Sequence, residues 1–241
     1  MKKQIIGIMG AMPEEIAGMA ADFTQGSTLR IERGQRVYDR GIMSDRDVVL
    51  VYTRCGKVAA ATTAAHLIIE FGVTEILFTG VAGAADPALR VGDVVIGSAY
   101  YQHDMDARPL FARHEIPLLG TDRFLADPVR VKTAMQASTR FLASREGSNS
   151  RVVAGAIASG DKFFACRSEL DELRSRIPEV ACVEMEGAAV AQVCHEYGIP
   201  LTVIRTISDS ADEQSPVDFA TFIQEVASAY SRGIVRELLS C

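Results

Sequence analysis

Ala181-Cys182-Val183-Glu184-Met185-Glu186-Gly187-Ala188-Ala189 places two carboxylates two residues apart, with apolar flanks on both sides. Residues 180–183 read as the end of a buried strand, and residues 187–194 as a helix of small residues packed tightly inside. A strand running straight into a helix is a building unit of an α/β sheet. Burying an acid costs free energy unless it is paired or hydrogen-bonded. Two acids at such a junction therefore need a reason. Complementing the helix dipole is one, and holding a ligand is the other.

The same alternation extends outward in both directions. Leu201–Ile207 and Val152–Ile157 read as strands, with a polar helix at Arg167–Arg176 and an amphipathic one at Val129–Leu142. Gln4–Met9 reads as a first buried strand, after which Pro13 suits the first position of a helix with Glu14 and Glu15 in its opening turn. Three strand-like runs, Thr28–Glu32, Arg36–Met43 and Asp47–Thr53, precede a small-residue helix from Gly56 to about Phe71. Glu75–Thr79 is a short strand expected to end in a glycine-rich turn, Gly80–Ala85, and Val91–Gly97 is another strand. Residues 99–127 form the least regular stretch, and one long helix is expected over Pro216–Leu239. The pattern predicts an α/β fold: a three-layer α/β/α arrangement with a mixed central sheet, antiparallel near residues 28–54. No linker, repeat or low-complexity run divides the chain, so residues 1–241 are expected to form a single domain.

Composition narrows the function classes. Hydrophobic residues make up 48% and charged residues 23% of 241, and the net charge is −6 with no basic cluster, which argues against nucleic acid or an anionic membrane as partner. The five cysteines, at 55, 166, 182, 194 and 241, are scattered without CxxC spacing, pointing to reduced thiols in a cytoplasmic protein rather than a disulfide frame or zinc site. The start, Met1-Lys2-Lys3 and an apolar run, faintly resembles a signal peptide, but glycines break the run and Pro13-Glu14-Glu15 follow at once, so a buried strand explains it better. No stretch approaches the roughly 18 apolar residues of a membrane span.

Ligands on α/β sheets sit beyond the carboxyl ends of the strands. That rule selects Met12–Glu15, Gly80–Ala85, the loop after Ser98, Gly160–Phe164, Glu184–Glu186 and Ser208–Asp209. There is no GxGxxG after a strand, no Walker A motif and no GxSxG elbow, which removes dinucleotide binding, P-loop chemistry and a serine-hydrolase triad. His103-Asp104-Met105-Asp106 reads as a hydrogen-bonded turn in preference to a metal site, and Cys194-His195 as packed helix positions. What remains is acid–base chemistry by carboxylates with an aromatic clamp. Asp209 ends an apolar strand, a setting that suits an acid catalyst. Glu15 can hold a water as general base, or merely complement a helix dipole. Glu186 offers two acceptor oxygens to sugar hydroxyls. Phe163 can stack on a planar ring, and Gly80–Gly83 can bring backbone N–H groups close to a ligand.

Eight pieces in order resemble the nucleoside phosphorylase/hydrolase superfamily, and most closely its bacterial 5′-methylthioadenosine/S-adenosylhomocysteine nucleosidases. They are Ile8-Met9-Gly10-Ala11-Met12-Pro13-Glu14-Glu15, Gly56-Lys57-Val58-Ala59-Ala60-Ala61, Thr79-Gly80-Val81-Ala82-Gly83, Val91-Gly92-Asp93-Val94-Val95, His103-Asp104 with Asp106, Ser159-Gly160-Asp161 with Phe163, Val183-Glu184-Met185-Glu186 and Ile207-Ser208-Asp209. The resemblance implies hydrolysis of the N-glycosidic bond of a 5′-substituted adenine nucleoside. In it Asp209 protonates adenine at N7 and Glu15 activates the water that attacks C1′. Glu186 binds the ribose hydroxyls and Met185 lines the sugar. Phe163 stacks on adenine, and the backbone at Phe164 reads its edge. Ser208 orients Asp209, Ala82 and Gly83 border base and sugar, and Arg205 and Glu184 give support. No metal or cofactor is implied, since this cleavage requires only leaving-group protonation and an oriented water. The resemblance also implies a homodimer with the 99–120 loop at or near the interface.

Three departures bear on specificity. Val81 stands where the family usually has Ser, Phe164 replaces a common aliphatic residue, and the 105–120 loop is unlike the family pattern. Two alternatives within the superfamily stay open. One is a phosphate-dependent phosphorylase, disfavoured by the acidic turn Gly-Ala-Met-Pro-Glu-Glu but kept open by Arg54. The other is a hydrolase of a related nucleoside of futalosine type. A non-catalytic nucleoside-binding protein is the alternative outside enzymes, and the full set of candidate acids argues against it.

Overall fold

The computed structural model describes residues 3–145, 147, 149–212 and 214–240. Met1, Lys2 and Cys241 of the sequence reading lie outside the described residues. Cys55, Cys166, Cys182 and Cys194 are free thiols. Among the described residues no helix is long and apolar enough to cross a membrane.

Among those residues ten strands form one mixed sheet: β1 (Ile5–Gly10), β2 (Leu29–Arg33), β3 (Arg36–Met43), β4 (Arg46–Tyr52), β5 (Glu75–Ala84), β6 (Val94–Gln102), β7 (Phe124–Leu125), β8 (Val152–Ser159), β9 (Val180–Glu184) and β10 (Leu201–Asp209). The helices are α1 (Lys57–Ile69), α2 (Pro128–Ala143), α3 (Arg167–Arg176), α4 (Gly187–Tyr197), α5 (Ser215–Glu225) and α6 (Ala227–Leu239). The strand order is β10-β6-β8-β9-β5-β1-β4-β3-β2, and β10 also pairs with β5, so five strands close on themselves at one end. β1 is fully buried and runs parallel between β4 and β5, whereas β2, β3 and β4 are antiparallel as expected.

Side-chain alternation along these strands feeds two cores. Met9, Val49, Val51, Ile76, Phe78 and Val203 pack with α1 and α4 through Ala60, Ala64, Leu67, Ala188 and Ala191. Their neighbours Ile6, Ile8, Val48, Leu50 and Leu77 join Val235 and Leu239 of α6, and Val94, Ile96 and Ile204 join α2 and α6 through Ala134, Phe141 and Ile234. Helices therefore cover both faces, giving the α/β/α layers. Local signals set their ends. The Asp127 carboxylate accepts from Val129 N and Arg130 N ahead of α2, with Pro128 in the first turn, and Gly198 ends α4 in the left-handed region.

Four elements differ from the sequence expectation. Gly80–Ala85 is not a turn: β5 continues to Ala84. Its register with β1 ends at Met9↔Phe78, while Gly83 and Ala84 pair antiparallel with Val183 and Cys182 of β9. The small residues thus let one strand leave one neighbour and join another. The helix begun by Pro13 is a single 3-10 turn, Pro13–Ile16. The terminal helix is broken at Val226 (φ −125°), with no glycine or proline to announce it, and the break sends α5 across the carboxyl ends of the strands. β6 also starts later than expected, at Val94, because Gly92 (φ +90°) makes a turn, and it runs on to Gln102, paired with β8 as far as Ser159 with a register shift between Gly97 and Ala99.

Candidate active site

One cavity of about 330 Å³ opens at the carboxyl ends of β1, β5, β9 and β10. Glu15, Val81, Ala82, Gly83, Phe163, Phe164, Glu184, Met185, Glu186, Ser208 and Asp209 all line it. Eleven of the twelve positions singled out from the sequence thus share one wall. The twelfth, Arg205, does not line it. Arg205 is buried behind Glu184, its Nη2 2.6 Å from Glu184 Oε2, its Nη1 donating to the carbonyls of Phe78 and Ile204, and its guanidinium 4.2 Å from the Phe78 ring centroid. With its donors so directed, Arg205 holds Glu184 and reaches no ligand in the cavity.

Glu15 sits where β1 and β5 part. Its Oε2 accepts from Ala11 N (2.5 Å) and Met12 N (2.9 Å), and its Oε1 accepts from Val81 N (3.0 Å). Burial raises its pKa above the usual carboxylate range, against the lowering pull of the Arg205 charge and these three amides. Two glycines make the space. A Cβ on Gly80 would fall 2.5 Å from Glu15 Oε1, and one on Gly10 would fall 3.3 Å from Glu15 Cβ and 2.6 Å from Ile16 Cγ2.

The two acids of the opening stretch divide. Glu184 is consumed by protein: besides Arg205 it accepts from the Ser159 hydroxyl, Gly187 N and Glu186 N. Among the described residues Glu186 accepts only from Gly56 N, at 2.8 Å through Oε1, leaving Oε2 for a ligand. Burial, and then the neighbouring Glu184 charge, push Glu186 up to about 8. Hydroxyl donors on that carboxylate would favour its ionised form.

Asp209 ends β10 against Gly83 of β5. Its Oδ2 accepts from the Ser208 hydroxyl (2.7 Å) and its Oδ1 from Ala211 N (2.9 Å). A Cβ on Gly83 would lie 2.9 Å from Asp209 Oδ1, so glycine is required there too. Phe163 is 44% exposed and meets Phe219 of α5 edge-on, ring centroids 5.7 Å apart. Phe164 is 7% exposed and packs edge-on against His103, so its ring is a wall and Phe163 is the free aromatic face. Val81 packs with Phe222, Ile223 and Ala227, which ties the cavity to α5 and α6.

Sequence reasoning missed Phe219 and Cys55, which also line the cavity. Phe219 lies in a helix whose pattern signals only an apolar face, and Cys55 in a turn without a chemical motif. In the loop after β6, Asp104 pairs with Lys57 (2.6 Å), and Asp106 with Arg108 (2.6 Å) and Arg113 (3.2 Å). This agrees with the turn reading of that segment.

Such a cavity can protonate a leaving group from one side and hold a water on the other, with an aromatic face for a ring and an acceptor for hydroxyls. Residues 5–240 match the family model of the phosphorylase superfamily. The 5′-methylthioadenosine/S-adenosylhomocysteine nucleosidase of Shewanella denitrificans is 34% identical over 220 residues, 90% of this chain and 91% of that protein. The aminodeoxyfutalosine nucleosidase of Helicobacter pylori is 31% identical over 98% of this chain and all of its own length. The crystal structure of the Neisseria meningitidis 5′-methylthioadenosine/S-adenosylhomocysteine nucleosidase in complex with methylthio-immucillin-A superposes with a TM-score of 0.90 at 34% identity, covering 98% of this chain and 99% of that one. The chain accordingly belongs to the phosphorylase superfamily and, within it, to the 5′-methylthioadenosine/S-adenosylhomocysteine nucleosidases.

Proposed function

We infer that the protein hydrolyses the N-glycosidic bond of 5′-substituted adenine nucleosides, 5′-methylthioadenosine and S-adenosylhomocysteine among them, to adenine and the substituted ribose. The observation that carries this reading is the convergence of Glu15, Glu186 and Asp209 on one cavity beside the exposed Phe163 ring. Phe163 stacks on the base, Asp209 gives a proton to the departing adenine with Ser208 orienting it, and Glu186 accepts the ribose hydroxyls beside Met185. Glu15 polarises the water that adds to C1′, its position fixed by three amides. Every bond made and broken is then served by carboxylates of this chain, with no covalent intermediate.

The continuous sheet supports reading residues 1–241 as one domain, and the free thiols support a cytoplasmic setting. Leu110 and Leu118, 84% and 93% exposed on the loop after β6, support a homodimer formed through residues 99–120. The likeness to the Helicobacter pylori protein supports a second reading in which the preferred nucleoside is of the futalosine type. Free adenine is to be measured for a panel of 5′-substituted adenine nucleosides, aminodeoxyfutalosine included, with and without inorganic phosphate. Release at the same rate in both conditions is expected. Release that requires phosphate would make the protein a phosphorylase.

A further inference from the structure

A second cavity, of about 440 Å³, adjoins the first across the turn that opens α1. It is lined by Arg36, Arg54, Gly56, Lys57 and Asp161, and by Cys55, which lines both cavities. Its charge is opposite to that of the first, whose lining holds Glu15, Glu184, Glu186 and Asp209 against Lys162 alone. Here three cations face one carboxylate, and that carboxylate is engaged: Asp161 Oδ1 accepts from Lys57 N at 2.8 Å. Lys57 is also committed, its Nζ 2.6 Å from Asp104 Oδ1.

The two arginines are not so committed. Arg36 is 7% exposed, its Nη1 and Nη2 donate only to the carbonyls of Gly34 (3.1 Å) and Ala59 (3.2 Å), and its buried Nε has no partner. Arg54 donates from Nη2 to the carbonyl of Gln35 (2.8 Å). Among the described residues neither has a carboxylate within ion-pair distance. A buried guanidinium without a counter-charge is costly, and the other fully buried arginine, Arg205, has Glu184. Arg36 is thus a buried cation whose counter-charge the described residues do not supply, with the exposed Arg54 beside it in the same lining, and an anionic ligand would supply that charge.

Gly56 links the two cavities, since its N–H is the donor that holds Glu186. A nucleoside whose ribose rested on Glu186 would have its sugar beside this turn, and Cys55, common to both linings, marks where a 5′ substituent would pass towards the basic cavity. We propose that Arg36 and Arg54 form a binding site for an anionic group, a carboxylate, at the far end of the 5′ substituent, so that the enzyme prefers acid-tailed adenine nucleosides to neutral ones. This inference rests on the nucleosidase reading above and adds the substrate class of the same site. A planar carboxylate suits arginine because two parallel N–H donors meet two oxygens.

The test compares adenine release from three nucleosides: 5′-methylthioadenosine, 5′-(carboxypropylthio)adenosine and the carboxamide of the latter. The acid and its amide share size and shape, so their kcat/KM ratio isolates the charge. A ratio of about tenfold in favour of the acid is expected. Exposed Arg54 can be changed without disturbing the core, and Arg54→Gln should bring the ratio towards one, with Arg54→Glu inverting it. Release from all three nucleosides with no preference for the acid overturns this inference alone, as does a preference that survives both Arg54 variants. No release from any of them overturns the nucleosidase reading and this inference with it. Acceleration by inorganic phosphate would give the arginines to a phosphate co-substrate and overturn the assignment of a carboxylate tail.

Discussion

Gly80 and Glu15 occupy complementary space: the Cβ that any other residue would place at position 80 lies 2.5 Å from the Glu15 Oε1 and 3.0 Å from its Cδ. The carboxylate of a residue near the amino terminus is thus seated in a notch cut into a central strand. Gly80→Ala should leave the sheet folded, since β5 keeps its ladder to β10 on the other side, yet displace the carboxylate from the Val81 amide. Displacements of this size cost about 100-fold in rate. Steady-state adenine release together with a circular dichroism spectrum checks this, and a variant with unchanged kcat would show that the position of Glu15 is irrelevant to turnover.

Removing the acid should be more severe. Asp209→Asn retains the shape and the acceptor for Ala211 N but offers no transferable carboxyl proton, and the expected loss in kcat is about 10³-fold, the usual weight of a general acid. Ser208→Ala removes a single hydroxyl donor at 2.7 Å and should cost about tenfold. Normal turnover by Asp209→Asn would remove Asp209 from the mechanism.

The burial of Glu186 has two consequences of opposite appearance. Its pKa lies at about 8 in the folded protein, against 4.5 for a free side chain. The folded state therefore holds a proton that the unfolded chain has released, and between those two values stability falls as pH rises. Glu186→Gln keeps an acceptor for Gly56 N but has no charge to bury. Its Tm should match the wild type near pH 4.5 and exceed it by about 10 °C at pH 8.5, because a proton held across that window is worth several kcal/mol and each kcal/mol moves Tm by about 2–4 °C in a chain of this size. Activity moves the other way. The ionised form accepts ribose hydroxyls, so wild-type kcat/KM should rise with pH up to about 8, and Glu186→Gln should lose that limb. A pH profile and a melting series on the same two proteins separate the effects.

Glu184 and Arg205 are expected to matter through stability. Both are buried, and each is the other's counter-charge. Arg205→Met leaves a buried carboxylate without its cation and should cost about 3–5 kcal/mol in a urea titration, while pairing it with Glu184→Gln should recover part of that loss. If the single substitution were neutral, the ion pair would not be what holds the β9–α4 junction in place.

Much of this arrangement is legible in the sequence because the sheet puts strand ends side by side. Glu15, Phe163, Glu186 and Asp209 are far apart in sequence, and the carboxyl-end rule alone gathers them. The residues it mishandles have physical reasons. Gly80–Ala85 has turn composition, and its ladder to β10 on one side and its change of partners from β1 to β9 on the other keep it extended. Arg205 follows the β10 alternation into the sheet instead of the cavity, a matter of which strand face Glu184 occupies. Phe219 belongs to a helix that reaches the site only because the chain breaks at Val226, where no proline or glycine marks the break.

β5 touches both halves of the chemistry. The amide of Val81 fixes Glu15, and two residues later Gly83 abuts Asp209. Two residues of extended chain span about 6.8 Å. The strand therefore acts as a gauge block between the group that holds the water and the group that releases the base, and its length is set by covalent geometry. Loops, α5 and the tail-binding turn are free to diverge around it without altering the reacting distance. A single inserted residue between 80 and 84 would reset that distance, however well the remainder of the cavity were preserved.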